Sequence, residues 1–206
     1  MKHNRYYLLI ILFLAFAKAS FAQTTLEAFT TPDNLTLEGW FFKPLTEDYK
    51  LTLFSLNEAI VEYDTEETTF VSYNVIGYDI WKGFGPVIGA RILEGRGSAL
   101  AGIQWAKASE KFLITANLTT EIRDNPFYEL YFLAQYKFPI NDKIGFFSQL
   151  QNSTNFMDNG HDFSFQRLRA GISWKTYQVG AGLNAFQYSE DFDFEIDPGI
   201  FIRVEF

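Results

Sequence analysis

From Gln23 onward, apolar and polar positions alternate with a period of two, in segments of about 10 residues. The clearest segments lie in the second half. Over Ser164–Lys175 one face reads Leu168, Ala170, Ile172 and Trp174, and the other reads Arg167, Arg169, Gly171, Ser173 and Lys175. Tyr177–Tyr188 sets Val179, Ala181, Leu183 and Ala185 against Gln178, Gly180, Gly182 and Asn184. Phe112–Arg123 sets Phe112, Ile114, Ala116, Leu118 and Ile122 against Thr115, Asn117, Thr119, Glu121 and Arg123. Phe127–Phe138 places Tyr128, Leu130, Phe132, Ala134, Tyr136 and Phe138 opposite Glu129, Tyr131, Gln135 and Lys137. Successive strand side chains point to opposite faces, so each segment predicts a strand with one apolar and one polar side.

Weaker alternation predicts strands over Thr24–Thr31, Asn34–Lys43, Tyr49–Asn57, Thr68–Ile80, Gly85–Glu94, Ser98–Lys107 and Lys143–Gln151, and a last one over Asp191–Phe206. No helical period follows Gln23, and no stretch there is long and apolar enough to span a bilayer as a helix. Lys107–Lys111, Pro139–Lys143 and Lys175–Tyr177 read as tight turns, while Glu58–Glu67 and Asn152–Asp162 read as longer polar loops. Alternating short turns and longer loops, with both chain ends on one side, predict an all-β, antiparallel, up-and-down transmembrane β-barrel of about 12 strands, with 10 as the alternative.

The start of the chain changes the compartment. Lys2 and Arg5 precede an apolar run from Tyr6 to Ala17 that is too short to span, and Ser20 and Ala22 suit cleavage before Gln23. Residues 1–22 therefore read as a signal peptide and 23–206 as the barrel domain. Removing residues 1–22 takes away Lys2, Arg5 and Lys18 and no acid, so the formal charge moves from -8 to -11. Such an acidic chain argues against a nucleic-acid partner. Cys is absent, so the exported fold does without disulfides.

Aromatic residues make up 18% of the chain, yet mean hydropathy is only -0.06. That mixture suits strands with one face toward lipid and one toward a polar lumen. Trp40, Phe41, Phe42, Tyr78, Trp81, Trp105, Tyr136, Phe138, Trp174 and Tyr177 fall near predicted strand ends, as interfacial girdles require. The polar faces carry both signs of charge. Arg167, Arg169, Lys175 and Arg203 are expected to line the lumen opposite Glu121, Glu129 and Glu205, with the arginines favouring anions or small zwitterions at a constriction.

The chain closes on Pro198-Gly-Ile-Phe-Ile-Arg-Val-Glu-Phe206. This ending resembles the terminal strand of Gram-negative outer-membrane β-barrel proteins. Where that class often carries a Gly upstream of the terminal aromatic, this chain has Phe201, with Gly199 two positions earlier. The resemblance implies residence in the cell outer membrane, contact with its lipid and lipopolysaccharide, and recognition by the barrel assembly machinery through Phe206 and Val204.

Candidate chemistry is sparse. His161 is the only His after the leader, and the sequence reads His161-Asp-Phe-Ser164. Barrel-type acyl hydrolases of the outer membrane use a His and a Ser two apart, whereas a spacing of three puts the pair on opposite faces of a regular strand. Asp191, Asp193, Glu195 and Asp197 share one face and read as a solvated outer loop, with a Ca²⁺ or Mg²⁺ site as the alternative. Asp158–Asp162 reads as a turn, and Gly83, Gly85, Gly95 and Gly97 as turn glycines. No cofactor or resident metal is expected. The sequence thus predicts a non-enzymatic barrel, either a narrow channel for an unspecified small solute or a structural element. A lipid-modifying enzyme and a secreted ligand-binding β-domain are the alternatives.

Overall fold

The computed structural model of the chain describes residues 23–206 apart from 66, 94, 159 and 189–192. The segment read as a leader, residues 1–22, lies outside the described residues, as does Asp191. Twelve strands follow one another: β1 (Gln23–Thr30), β2 (Asn34–Pro44), β3 (Leu51–Glu62), β4 (Thr68–Tyr78), β5 (Phe84–Leu93), β6 (Arg96–Ala108), β7 (Phe112–Glu121), β8 (Tyr128–Pro139), β9 (Ile144–Met157), β10 (Gly160–Trp174), β11 (Tyr177–Tyr188) and β12 (Asp193–Glu205). Each pairs antiparallel with its neighbours, and β1 pairs with β12, so the sheet closes into a barrel. Closure leaves no strand edge unpaired, as a backbone surrounded by hydrocarbon requires. At the seam, Phe206 N donates to Thr24 O at 2.9 Å, holding the two chain ends together at one end of the barrel.

The alternation sorts the side chains as expected. Ile88, Ile103, Leu118, Leu130, Leu150, Leu168, Ile172, Val179, Ile200 and Ile202 all stand exposed on the outer wall. So large a continuous apolar exterior is unstable in water and suits acyl chains. Phe112, Tyr136, Phe138, Trp174 and Tyr177 ring the end that holds the chain termini, and Tyr63, Tyr128, Phe156, Tyr188 and Phe194 ring the far end.

Two expectations need correction. Glu58–Glu67 and Asn152–Asp162 are not long loops: β3 runs on to Glu62, β9 to Met157, and β10 starts at Gly160. The longest connections span only 45–50 and 122–127. The far end of β9 carries polar residues on both faces, and that of β10 puts Ser164 and Gln166 on the outer face with Phe163 and Phe165 inside, so neither shows an apolar outer face. Trp40 does not belong to a girdle. It points inward, is 1% exposed, and packs with Phe54 at a ring separation of 6.4 Å.

Close packing of the β10–β11 hairpin depends on glycines. A Cβ on Gly180 would lie 2.1 Å from Ala170 O and 2.5 Å from Gly171 Cα, and one on Gly182 would lie 2.7 Å from Arg169 Cδ. Backbone atoms cannot give way as a flexible side chain can. Gly180→Ala is therefore expected to lower barrel stability by roughly 1–3 kcal/mol, the usual cost of overpacking. Urea unfolding in lipid vesicles measures this.

Candidate functional site

The lumen holds the only dense arrangement of charge in the described structure. In β10, Arg167 and Arg169 share the inward face because the intervening Leu168 faces out. Arg167 reaches across the interior to the acids of β2 and β3. Its Nη1 donates to Glu38 Oε2 at 3.1 Å and its Nη2 to Glu58 Oε1 at 2.9 Å, with a further contact from Nη1 to Glu58 Oε2. Arg169 Nε donates to Glu27 Oε1 at 2.9 Å and its Nη1 to Asn184 Oδ1 at 3.0 Å. Arg203 is 0% exposed. Its Nε donates to Glu27 Oε2 at 2.8 Å and its Nη1 to Gln149 Oε1 at 2.7 Å. Glu27 of β1 thus bridges arginines from β10 and β12.

A second cluster lies toward the far end. Arg91 Nη2 donates to Glu121 Oε1 at 2.7 Å, and Glu129 lies 3.9 Å from Arg91 Nη1. Ser98 and Ser153 donate to Glu121 and Glu129 at 2.5 and 2.6 Å. Near the chain termini, Lys137 pairs with Glu205, which also accepts from Gln178 at 2.8 Å and from Gln23 at 2.9 Å. Aromatic rings back the guanidinium groups: Arg169 lies 3.7 Å from the centroid of Phe29, and Arg203 4.5 Å from that of Phe147. Planar guanidinium suits both the bidentate carboxylate contacts and this stacking, a role that Lys fills poorly.

Apolar side chains fill the space beside the charges. Tyr131 of β8 stacks on Tyr73 of β4 at 5.9 Å and meets Phe54 of β3 at 5.9 Å, so side chains from opposing walls touch in the middle. Leu56, Val75, Val87, Leu100, Leu113 and Leu133 complete this inner cluster.

The residues expected in the lumen are placed as follows. Arg167, Arg169, Arg203, Glu121 and Glu129 face inward and are buried, and Glu205 is half-buried near the chain termini. Lys175 is corrected: it occupies the β10–β11 turn with φ of 54°, its Nζ 4.8 Å from the Trp174 ring centroid. The strand ends at Trp174, one residue before it. The expected pairing of Arg167, Arg169 and Arg203 with Glu121 and Glu129 is also corrected. Their partners are Glu27, Glu38 and Glu58, and Glu121 and Glu129 belong to Arg91. The positive constriction expected from the arginines is therefore neutralised.

Glu27, Glu38, Glu58 and Arg91 were missed. A charge at mid-strand costs roughly 2–4 kcal/mol on a lipid face for Arg or Lys, so every mid-strand charge in a membrane barrel should point inward. That rule would have found all four. Of the acidic row, Glu195 is exposed and Asp197 is buried beside Asn184, its partner across β11–β12. The Asp193 side chain lies outside what is described, and no cluster of three or more metal-ligating groups occurs among the described residues. Phe206 is exposed, and Val204 is half-buried.

His161 and Ser164 do not fall on opposite faces of β10, as regular strand geometry predicts. The β9–β10 register shifts between His161 and Phe163, pairing His161 with Phe156 and Ser164 with Thr154. This bulge at Asp162 returns Ser164 to the face of His161. The His161 Nε2 and Ser164 Oγ atoms lie 2.7 Å apart, on the outer wall near the far end.

No family model matches this chain, and no curated protein matches it. Among the solved structures that resemble the chain distantly are three membrane proteins. One is a membrane protein from work on in-meso crystallization, at 12% identity and a TM-score of 0.45, with 89% of this chain and 84% of that one covered. Another is a bacterial polysaccharide outer membrane secretin, at 11% identity and 0.38, with 90% and 98% covered. OmpT of Vibrio cholerae follows at 7% identity and 0.36, with 91% and 98% covered. At these identities and TM-scores the likeness carries no role over to this chain.

Arg167→Ala would leave Glu38 and Glu58 buried and unpaired, with an expected loss of about 3–5 kcal/mol. Arg167→Met combined with Glu38→Gln and Glu58→Gln removes the charges together and should cost less than the single substitution. Urea unfolding of the folded barrel in vesicles compares the two.

Proposed function

We propose that the chain is an outer-membrane barrel whose lumen is closed by its own side chains, exported by the leader read over residues 1–22. It serves as a structural element rather than as an open channel. The observation that carries this reading is Arg167 spanning the interior to Glu38 and Glu58, beside the Phe54–Tyr131–Tyr73 stack. The apolar outer wall supports membrane residence, since such a surface in water would drive aggregation. Placement of aromatic side chains at both ends supports a spanning rather than a surface-bound arrangement.

The mature protein is expected to sediment with outer membranes, to resist carbonate washing, and to shift in gel mobility on heating. In planar bilayers it should give no steady conductance. Recovery in the soluble periplasmic fraction would overturn membrane residence, and stable ohmic steps would overturn the closed lumen.

One observation favours a second reading, an acyl hydrolase on the outer wall: the bulge that brings His161 Nε2 to 2.7 Å from Ser164 Oγ. A neutral imidazole at that distance can take the hydroxyl proton as the oxygen attacks an ester carbonyl. Against it, Ser164 is only 2% exposed. If the reading holds, a serine-directed fluorophosphonate labels the wild-type barrel in vesicles and not Ser164→Ala. Equal labelling of both, or none, removes it.

A further inference from the structure

Polarity is inverted across one part of the wall. On β3 and β4 the inward side chains include Phe54, Leu56, Tyr73 and Val75, all buried in the apolar inner cluster. The outward ones at the same level are Ser55, Asn57, Ser72 and Asn74. Ser55 faces Asn74 across the strand pair, and Asn57 faces Ser72. The four form a closed ring of hydrogen bonds. Ser55 Oγ donates to Asn74 Oδ1 at 2.6 Å, and Asn74 Nδ2 donates to Ser72 Oγ at 2.8 Å. Ser72 Oγ donates to Asn57 Oδ1 at 2.8 Å, and Asn57 Nδ2 donates to Ser55 Oγ at 3.1 Å.

The depth of this ring matters. Toward the chain termini it is followed by Leu53, Ile76, Leu51 and Tyr78, and toward the far end by Ala59, Phe70 and Val61. A strand tilted about 40° gains roughly 2.5 Å of depth per residue. Asn74 therefore lies roughly 10 Å inside Tyr78, near the middle of an apolar band about 25 Å tall. Neither water nor lipid headgroups reach that level.

The ring uses one of the two amide hydrogens on each Asn and one bond to each amide oxygen, leaving one donor per Asn and acceptor capacity on each oxygen. In acyl chains these find no partner. Small residues flank the ring, with Gly39 paired to Asn57 and Ala90 paired to Asn74, so another surface can approach closely. We infer that the Ser55–Asn57–Ser72–Asn74 ring is the centre of an interface with a second copy of this chain inside the membrane. A ring that presents donors and acceptors together is self-complementary, which is the condition for an isologous two-fold contact. A foreign partner would need a matching polar patch at the same depth, whereas a second copy carries one by construction.

This inference rests on the membrane reading. The chain has no Cys, so single-Cys variants report one position each. Ala59→Cys places a thiol beside the ring, and Leu150→Cys places one on the opposite wall. With mature protein in phosphatidylcholine vesicles, mild oxidation should convert Ala59→Cys to a disulfide-linked dimer and leave Leu150→Cys monomeric. Adding Asn57→Leu and Asn74→Leu to Ala59→Cys should return it to monomer while the heat-dependent gel shift persists. Insertion of the wild-type barrel as a monomer, with equal cross-linking at the two positions, overturns the inference and leaves the membrane reading standing. Cross-linking of Ala59→Cys in cells to a different protein, and not to itself, also overturns it. Failure to enter vesicles at all overturns both.

Discussion

Closing twelve strands around a lumen creates an interior that must be filled or wetted, and this chain fills it with arginines anchored to glutamates across the barrel. Arg167 is the central case. It leaves β10, crosses to β2 and β3, and binds Glu38 and Glu58 in a site where all three are buried. Burying one such charge alone would be prohibitive; burying it with partners and hydrogen bonds is tolerated. The geometry also ties opposite walls together, so barrel shape and lumen packing depend on each other. Glu27 repeats the device, holding Arg169 and Arg203 with one carboxylate.

Charge and apolar packing divide the interior between them. Tyr73, Tyr131 and Phe54 occupy the sector of β3, β4 and β8, Arg169 and Arg203 that of β10, β12 and β1, and Arg91 with Glu121 and Glu129 lies toward the far end. Glycines make this division feasible. Gly182 leaves room for Arg169, Gly171 and Gly180 let the backbones of β10 and β11 approach, and the guanidinium of Arg169 stacks over Phe29. The outer wall then has mainly to meet lipid, with polar exceptions at the Ser55–Asn74 ring and around Asn152, Thr154, Ser164 and Gln166 on β9 and β10.

Strand number and side-chain phase were legible because period two survives wherever one face meets lipid. Leu168 between Arg167 and Arg169 is enough to assign both arginines inward. Partner choice was not legible, since it depends on which strands stand opposite one another in a closed ring. Glu38 is remote from Arg167 in sequence yet becomes its neighbour through barrel curvature. The β9–β10 hairpin is hidden in the sequence because Asn152, Ser153, Thr154 and Asn155 put polar groups on both faces. The bulge at Asp162 carries no periodic signature, so the sequence gives no sign of the meeting of His161 with Ser164. Trp40 was misplaced by its aromatic character, although it shares a face with Glu38, which had to point inward.

Trp40 offers the most direct measurement of the closed lumen. A protein with Trp81, Trp105 and Trp174 replaced by Phe carries Trp40 as its sole indole, buried in the interior at 1% exposure. In vesicles of brominated phosphatidylcholine, its fluorescence should be blue-shifted, weakly quenched by the lipid bromines, and insensitive to aqueous acrylamide. A companion protein retaining only Trp174, which stands on the outer wall, should be strongly quenched by the same lipids. Acrylamide quenching of Trp40 as efficient as that of free indole would mean that water fills the lumen, and would contradict the account.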